Sequence, residues 1–168
     1  IITVSRVSSP NAGAATDTLS NGATVYYGDV LTIDYGIKEG FTMREHGTET
    51  IEVSGSVEKE AIFVKVIPDE YTVTWNNGTG YTIHVSRISS PYKEAETGEL
   101  NSGSAIYYGD TLDITYQAVN GYSLGSNKGI TSVTVSGNLT ASDIYASATA
   151  NSYTYKILYR STNGTDLG

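Results

Sequence analysis

The clearest pattern in the chain is an alternation of apolar and polar positions that occurs twice. Val30-Leu-Thr-Ile-Asp-Tyr35 and Thr111-Leu-Asp-Ile-Thr-Tyr116 both place an apolar or aromatic side chain at every second residue. Successive side chains of a strand point to opposite faces. Leu31, Ile33 and Tyr35 are therefore expected to face a core while Thr32 and Asp34 face water. Leu112, Ile114 and Tyr116 repeat this against Asp113 and Thr115. Each strand follows the same entry and punctuation, Val25-Tyr-Tyr-Gly-Asp29 in one case and Ile106-Tyr-Tyr-Gly-Asp110 in the other.

The repetition runs through nearly the whole chain. Gly28 matches Gly109, 81 residues on, and the same offset aligns Ile2-Thr-Val-Ser-Arg-Val-Ser-Ser-Pro10 with Ile83-His-Val-Ser-Arg-Ile-Ser-Ser-Pro91. Gly40-Phe41 meets Gly121-Tyr122. One residue is inserted before Ser132, after which Ile51-Glu-Val-Ser-Gly55 meets Val133-Thr-Val-Ser-Gly137 and Tyr71-Thr72 meets Tyr153-Thr154. Self-similarity at a fixed period signifies a repeat array. The chain is thus expected to be all-β: two tandem small β modules arranged head to tail, residues 1–70 and 71–152, with 153–168 opening a following module or linker.

Two further strands are expected at Tyr71-Thr-Val-Thr-Trp75 and Tyr81-Thr-Ile-His-Val-Ser-Arg87. They flank Asn76-Asn-Gly-Thr-Gly80, whose Asn-Gly is a hairpin signal. Last strands are expected near residues 61–67 and 143–149. The polar stretches 11–23 and 92–104 read as loops, with at most one helical turn at Lys93-Glu-Ala-Glu96, and 43–50 and 123–131 read as a second long loop. The first copy enters at its second strand. A vacant strand position is therefore expected there, matched by an orphan strand at residues 153–159. That strand either closes the second module or links chains by strand addition.

Composition narrows the classes. The formal net charge is −8, whereas a nucleic-acid footprint is basic; no nucleic-acid partner and no membrane insertion are expected. The 14 tyrosines and 18 glycines, against one Trp and one Met, suit strands and turns. There is no cysteine, so no disulfide or thiol chemistry. The chain begins at Ile1, without a start Met or a signal peptide, which suggests a piece of something longer.

Candidate chemistry is sparse. His84 sits on the polar phase of its strand and His46 in a loop beside Glu45, and neither has a second ligand at metal spacing. Ser56-Val-Glu-Lys59 and Ser90-Pro-Tyr-Lys93 match S-x-x-K only formally, because that motif needs a helix to bring Lys beside Ser. Asn77-Gly-Thr, Asn138-Leu-Thr and Asn163-Gly-Thr are formal glycosylation sequons that read equally as turn chemistry. No cofactor, metal or catalytic residue is assigned. The repeated polar positions Arg6/Arg87 and Asp29/Asp110 are candidate ligand clamps, or else an Arg paired with a turn carboxylate in each copy. The tyrosine pairs Tyr26/Tyr27 and Tyr107/Tyr108 are candidates for stacking on a sugar, or else for packing.

The order of a Y-T-[IV] strand, a Gly-rich loop, Y-x-x-G-D-x-L-x-I, G-[FY] and V-T-V-S-G-N-[VL]-T resembles divergent internalin-type B-repeats of the Listeria–Bacteroides kind. Tyr155-Lys-Ile-Leu-Tyr159 with Asn163-Gly-Thr-Asp-Leu-Gly168 resembles the start of a mucin-binding-type repeat. The resemblance implies small β-grasp-like modules; a small β-sandwich is the other form considered. It further implies an extracellular location, on a cell surface or virion, and no catalytic residues. The expected function is a non-enzymatic stalk segment that spaces or presents another domain, its partners being neighbouring modules. The alternatives are a glycan- or protein-binding module of an adhesin or phage fibre, and an accessory domain of a larger secreted enzyme.

Overall fold

Residues 1–157 are described in a computed structural model. Among them the protein is all-β, with fourteen strands and no helix. The tail motif at residues 158–168 lies outside the described residues.

The first half contains β1 (Ile2–Ser8), β2 (Thr18–Leu19), β3 (Val30–Tyr35), β4 (Phe41–His46), β5 (Thr50–Glu52) and β6 (Val64–Pro68). Its main sheet has the order β2-β1-β3-β5, and β4 pairs with β6 in a separate ribbon. The second half contains β7 (Glu70–Thr72), β8 (Tyr81–Ser89), β9 (Gly98–Leu100), β10 (Ala105–Tyr107), β11 (Thr111–Ala118), β12 (Tyr122–Lys128), β13 (Ser132–Thr134) and β14 (Ala146–Ala150). Its main sheet runs β9-β8-β11-β13, with β12 on β14. The two strand orders are the same. The second half adds the small ladder of β7 on β10 and a parallel bridge between Val73 and Leu139.

The predicted phase of the central strands is observed. Leu31, Ile33, Leu112 and Ile114 are buried, and Thr32, Asp34, Asp113 and Thr115 are exposed. In both halves the register slips by one residue, between Arg6 and Ser8 on β1 and opposite Thr111 and Leu112 on β11. The extra residue is Val7 or Ile88, and both are exposed. A bulge of this kind bends the strand and shifts its phase, so that Ser8 and Ser89 beyond it are exposed where Arg6 and Arg87 before it are buried.

Four expectations need correction. The segments 71–75 and 81–87 do not form a hairpin. β8 already has β11 on one side and β9 on the other, so β7 pairs antiparallel with β10 instead. The Asn-Gly turn is instead held locally, by a hydrogen bond of 2.8 Å from the Ile83 N–H to Asn77 Oδ1. The stretches 43–50 and 123–131 are largely strand, because β4 and β12 pair with β6 and β14. Each is hydrogen-bonded to only one other strand and is exposed over most of its length, so apolar alternation does not mark it. Parts of the loops 11–23 and 92–104 form β2 and β9, and residues 93–96 make turns without helix. The last strands begin three residues later than expected. Turns at 58–62 and 140–144 come first, closed by bonds such as Ala61 N–H to Glu58 C=O (3.0 Å) and Asp143 N–H to Thr140 C=O (2.9 Å).

The core of the second half joins Val73, Trp75, Ile83, Val85, Ile106, Leu112, Ile114, Val135 and Ile144. Val73 and Trp75 come from the segment that begins with β7. Removing apolar surface from water is the main source of stability in such a module.

Candidate functional site

Arg6 and Arg87 lie on the inward phase of β1 and β8, opposite Leu31 and Leu112. A charge there requires a partner, since an unpaired buried charge is costly. In each half the Arg Nε donates to the carboxylate, at 2.7 Å to Asp29 Oδ2 and 2.7 Å to Asp110 Oδ2. The remaining guanidinium donors hold the long loop. Arg6 reaches the Ala15 carbonyl at 3.0 Å and the Thr24 carbonyl at 2.6 Å. Arg87 reaches Glu96 at 2.9 Å and also the carbonyl of Ala105. All four charged residues are buried.

The aspartates also shape the turn. Asp29 Oδ2 accepts the Tyr26 N–H at 2.9 Å and Asp110 Oδ2 the Tyr107 N–H at 3.0 Å. Gly28 and Gly109 take φ of 82° and 84°, a region that strains any residue with a Cβ. A Cβ on either would meet the ring of Pro10 or Pro91 at 3.1 Å. The S-R-x-S-S-P and Y-Y-G-D motifs are thus two sides of one buried device. Oδ1 of Asp29 and of Asp110 has no hydrogen-bond partner among the described residues. Burial opposes ionisation of Asp29, but the nearby Ser9 hydroxyl, the Tyr26 N–H and Arg6 outweigh it and lower its pKa.

The four tyrosines are placed differently in the two halves. Tyr26 and Tyr107 each lie against a guanidinium, 5.6 Å from the ring centre to Arg6 or Arg87. Tyr107 also packs on Tyr92 at 4.6 Å. Burial pushes the Tyr107 hydroxyl pKa up, and Glu70 adds to the shift. Tyr108 crosses to the first half. It packs edge-on against Phe41 at 5.8 Å, fills the space above Gly40, and its N–H donates to Asp69 C=O at 2.9 Å. Tyr27, its counterpart, is 80% exposed.

That junction has a defined construction. Only Asp69 separates β6 from β7. Its N–H donates to Gly40 C=O at 2.9 Å, and its Oδ1 accepts the Thr42 hydroxyl at 2.7 Å. The chain then runs on between two segments of the second half. Val73 exchanges bonds with Gly103 N–H (2.8 Å) and Ser104 C=O (3.1 Å). Leu139 N–H donates to Thr72 C=O at 3.0 Å and Leu139 C=O accepts from Thr74 at 2.8 Å.

The same place in the first half is an open groove of about 620 Å³. Ile2, Val4, Leu19, Val25, Val57 and Ile62 are among its lining residues. The backbone counterparts of the groups just named, on Gly22, Ala23 and Val57, make none of these bonds among the described residues. The side chains register the difference. Ile83 is 4% exposed and Ile2 39%, while Val85, Ile106 and Ile144 are buried where Val4, Val25 and Ile62 are half-buried. Sequence alignment anticipates a vacant strand position. The contribution of Val57 and Ile62 was not legible, because it depends on where the 58–62 turn folds.

His84 is exposed on β8, with its Nδ1 2.7 Å from Glu99 Oε1. His46 ends β4 and packs on Tyr35 at 4.9 Å. No group of three or more His, Cys, Asp or Glu residues converges among the described residues. No helix among them is long and apolar enough to cross a membrane. No protein-family model, curated protein or solved structure matches the chain.

Proposed function

We propose that the chain is a non-enzymatic spacer, a stalk segment of an extracellular bacterial surface protein that holds another domain at a set distance. The observation that supports this reading is the junction. A single residue links the halves, and Tyr108, Gly40, Phe41 and Asp69 lock them through packing and backbone bonds. A short linker with interlocking contacts transmits position from one module to the next, which a spacer requires and an isolated binding module does not. The buried Arg–Asp pairs serve the fold on this reading, each tying a long loop to its sheet. The partners are neighbouring modules, and the acidic surface keeps the array apart from nucleic acid.

The experiment is to fuse the chain between a surface anchor and a fluorescent reporter and to measure the reporter's height above the membrane. One copy should raise the reporter by a fixed increment, and Tyr108→Ala should lower and broaden that height. An unchanged height, or saturable capture of a soluble glycan that Tyr27→Ala abolishes, would contradict the reading.

A further inference from the structure

We propose that the open groove of the first half is a strand-acceptor site and that its occupant is residues 152–157 of a second copy of the chain. The filled groove of the second half defines what fits. It takes an extended segment with apolar side chains at alternate positions, Tyr71, Val73 and Trp75. Shifted by the repeat, these positions are Tyr153, Tyr155 and Ile157, with Lys156 at the place of Thr74. Those three residues are 81%, 85% and 55% exposed. Residues 151–157 form no strand, so among the described residues one chain carries an open apolar groove and an exposed segment with apolar side chains at the matching alternate positions.

At the middle position of the segment the sizes are complementary, whereas at its end Ile157 is smaller than the Trp75 it matches. Val25 and Val57 stand where the filled groove has Ile106 and Leu139, and Tyr155 stands where it has Val73. A larger inserted side chain thus meets smaller walls, as volume-conserving exchange requires. By the register of β7 on β10, Ser152 pairs opposite Tyr26, Tyr153 opposite Val25 and Thr154 opposite Thr24.

The surroundings of the strand are already built. Asn151 N–H donates to Gly121 C=O at 2.8 Å, and the Ser123 hydroxyl donates to Asn151 Oδ1 at 2.7 Å. These bonds repeat those of Asp69 with Gly40 and Thr42. Among the described residues nothing lies within 4 Å of a Cβ built on Gly121, so the seat that Gly40 gives Tyr108 is open there. Tyr27 of the second copy, exposed at the other end, is the ring that fills it. The contact uses different surfaces on the two copies, so it propagates head to tail. It stands whether or not the chain acts as a spacer.

Light scattering coupled to size exclusion tests this on the full chain. The mass should rise from 17.9 kDa in whole multiples as concentration increases. Tyr155→Asp combined with Ile157→Asp disables the strand, and Tyr27→Glu disables the acceptor end. All three residues are exposed, so both variants should keep the parent circular dichroism. Each should weaken self-association by about tenfold or more. Mixed together they should form a 1:1 pair, since one retains the acceptor and the other the strand. A chain that stays monomeric at every concentration, variants that associate like the parent, or a mixture that fails to pair would each overturn the proposal.

Discussion

The ring of Tyr108 occupies the space that a Cβ on Gly40 would need. Gly40 also has φ of 80°. Gly121, its counterpart in the second half, has φ of 87° but open space above it. This pair of glycines separates backbone strain from packing at the junction. Gly121→Ala should cost about 1–2 kcal/mol for the left-handed backbone alone. Gly40→Ala should cost more, because Tyr108 must also move. Paired thermal melts would show the difference, and equal shifts would mean that Tyr108 contributes nothing there.

The two halves should respond unequally to the same core truncation. Ile106→Ala should cost roughly 2–5 kcal/mol, because Ile106 is fully buried against Val73 and its neighbours. Val25→Ala, at the matched position, should cost clearly less, since Val25 lines an open groove. Denaturant unfolding followed at residues of each half would test this. A Val25→Ala penalty as large as that of Ile106→Ala would indicate that the groove is closed in solution.

Removing one member of the Arg87–Asp110 pair leaves a buried charge alone. Arg87→Ala should destabilise the second half by roughly 3–5 kcal/mol and free the loop at 92–104, whose Glu96 carbonyl it holds. Replacing both residues by apolar ones of similar volume should recover much of that loss. Amide exchange across residues 95–105 is the readout. Unchanged protection in Arg87→Ala would show that the loop does not depend on the pair.

How much of this was legible from the residues differs by element. The phase of β3 and β11 was readable because Leu31, Ile33, Leu112 and Ile114 alternate strictly against polar neighbours. The partner of β7 was not. Asn77-Gly78 reads as a hairpin turn, and nothing local reveals that both edges of β8 are occupied by later strands, β9 and β11. β12 was hidden because Tyr122-Ser-Leu-Gly-Ser-Asn-Lys128 is exposed over most of its length and needs no apolar rhythm. Arg6 and Arg87 carried a readable signal in hindsight, since each stands on the inward phase with Val4 or Val85, where a charge must find a partner.

Acid should weaken the first half in a specific way. The pKa of Asp29 is lowered in the folded protein, and an unfolded Asp carboxyl titrates near about pH 3.9. The contribution of the ionised form is therefore present above about pH 4 and lost as pH falls through the lower folded value. Denaturation midpoints measured down through this range should drop in the parent. The part due to this residue should be missing in Asp29→Asn. An identical acid dependence in both proteins would assign the loss to other carboxylates.

The claim that the junction fixes the two halves in one orientation can be measured directly. The chain has no cysteine, so Val7→Cys and Ile88→Cys place two spin labels uniquely, on exposed and equivalent positions of the two bulges. Double electron–electron resonance on the doubly labelled chain, diluted with unlabelled protein, should give one narrow distance distribution. Tyr108→Ala should broaden it. A broad distribution in the parent chain would mean that the halves move independently, and would contradict the spacer account.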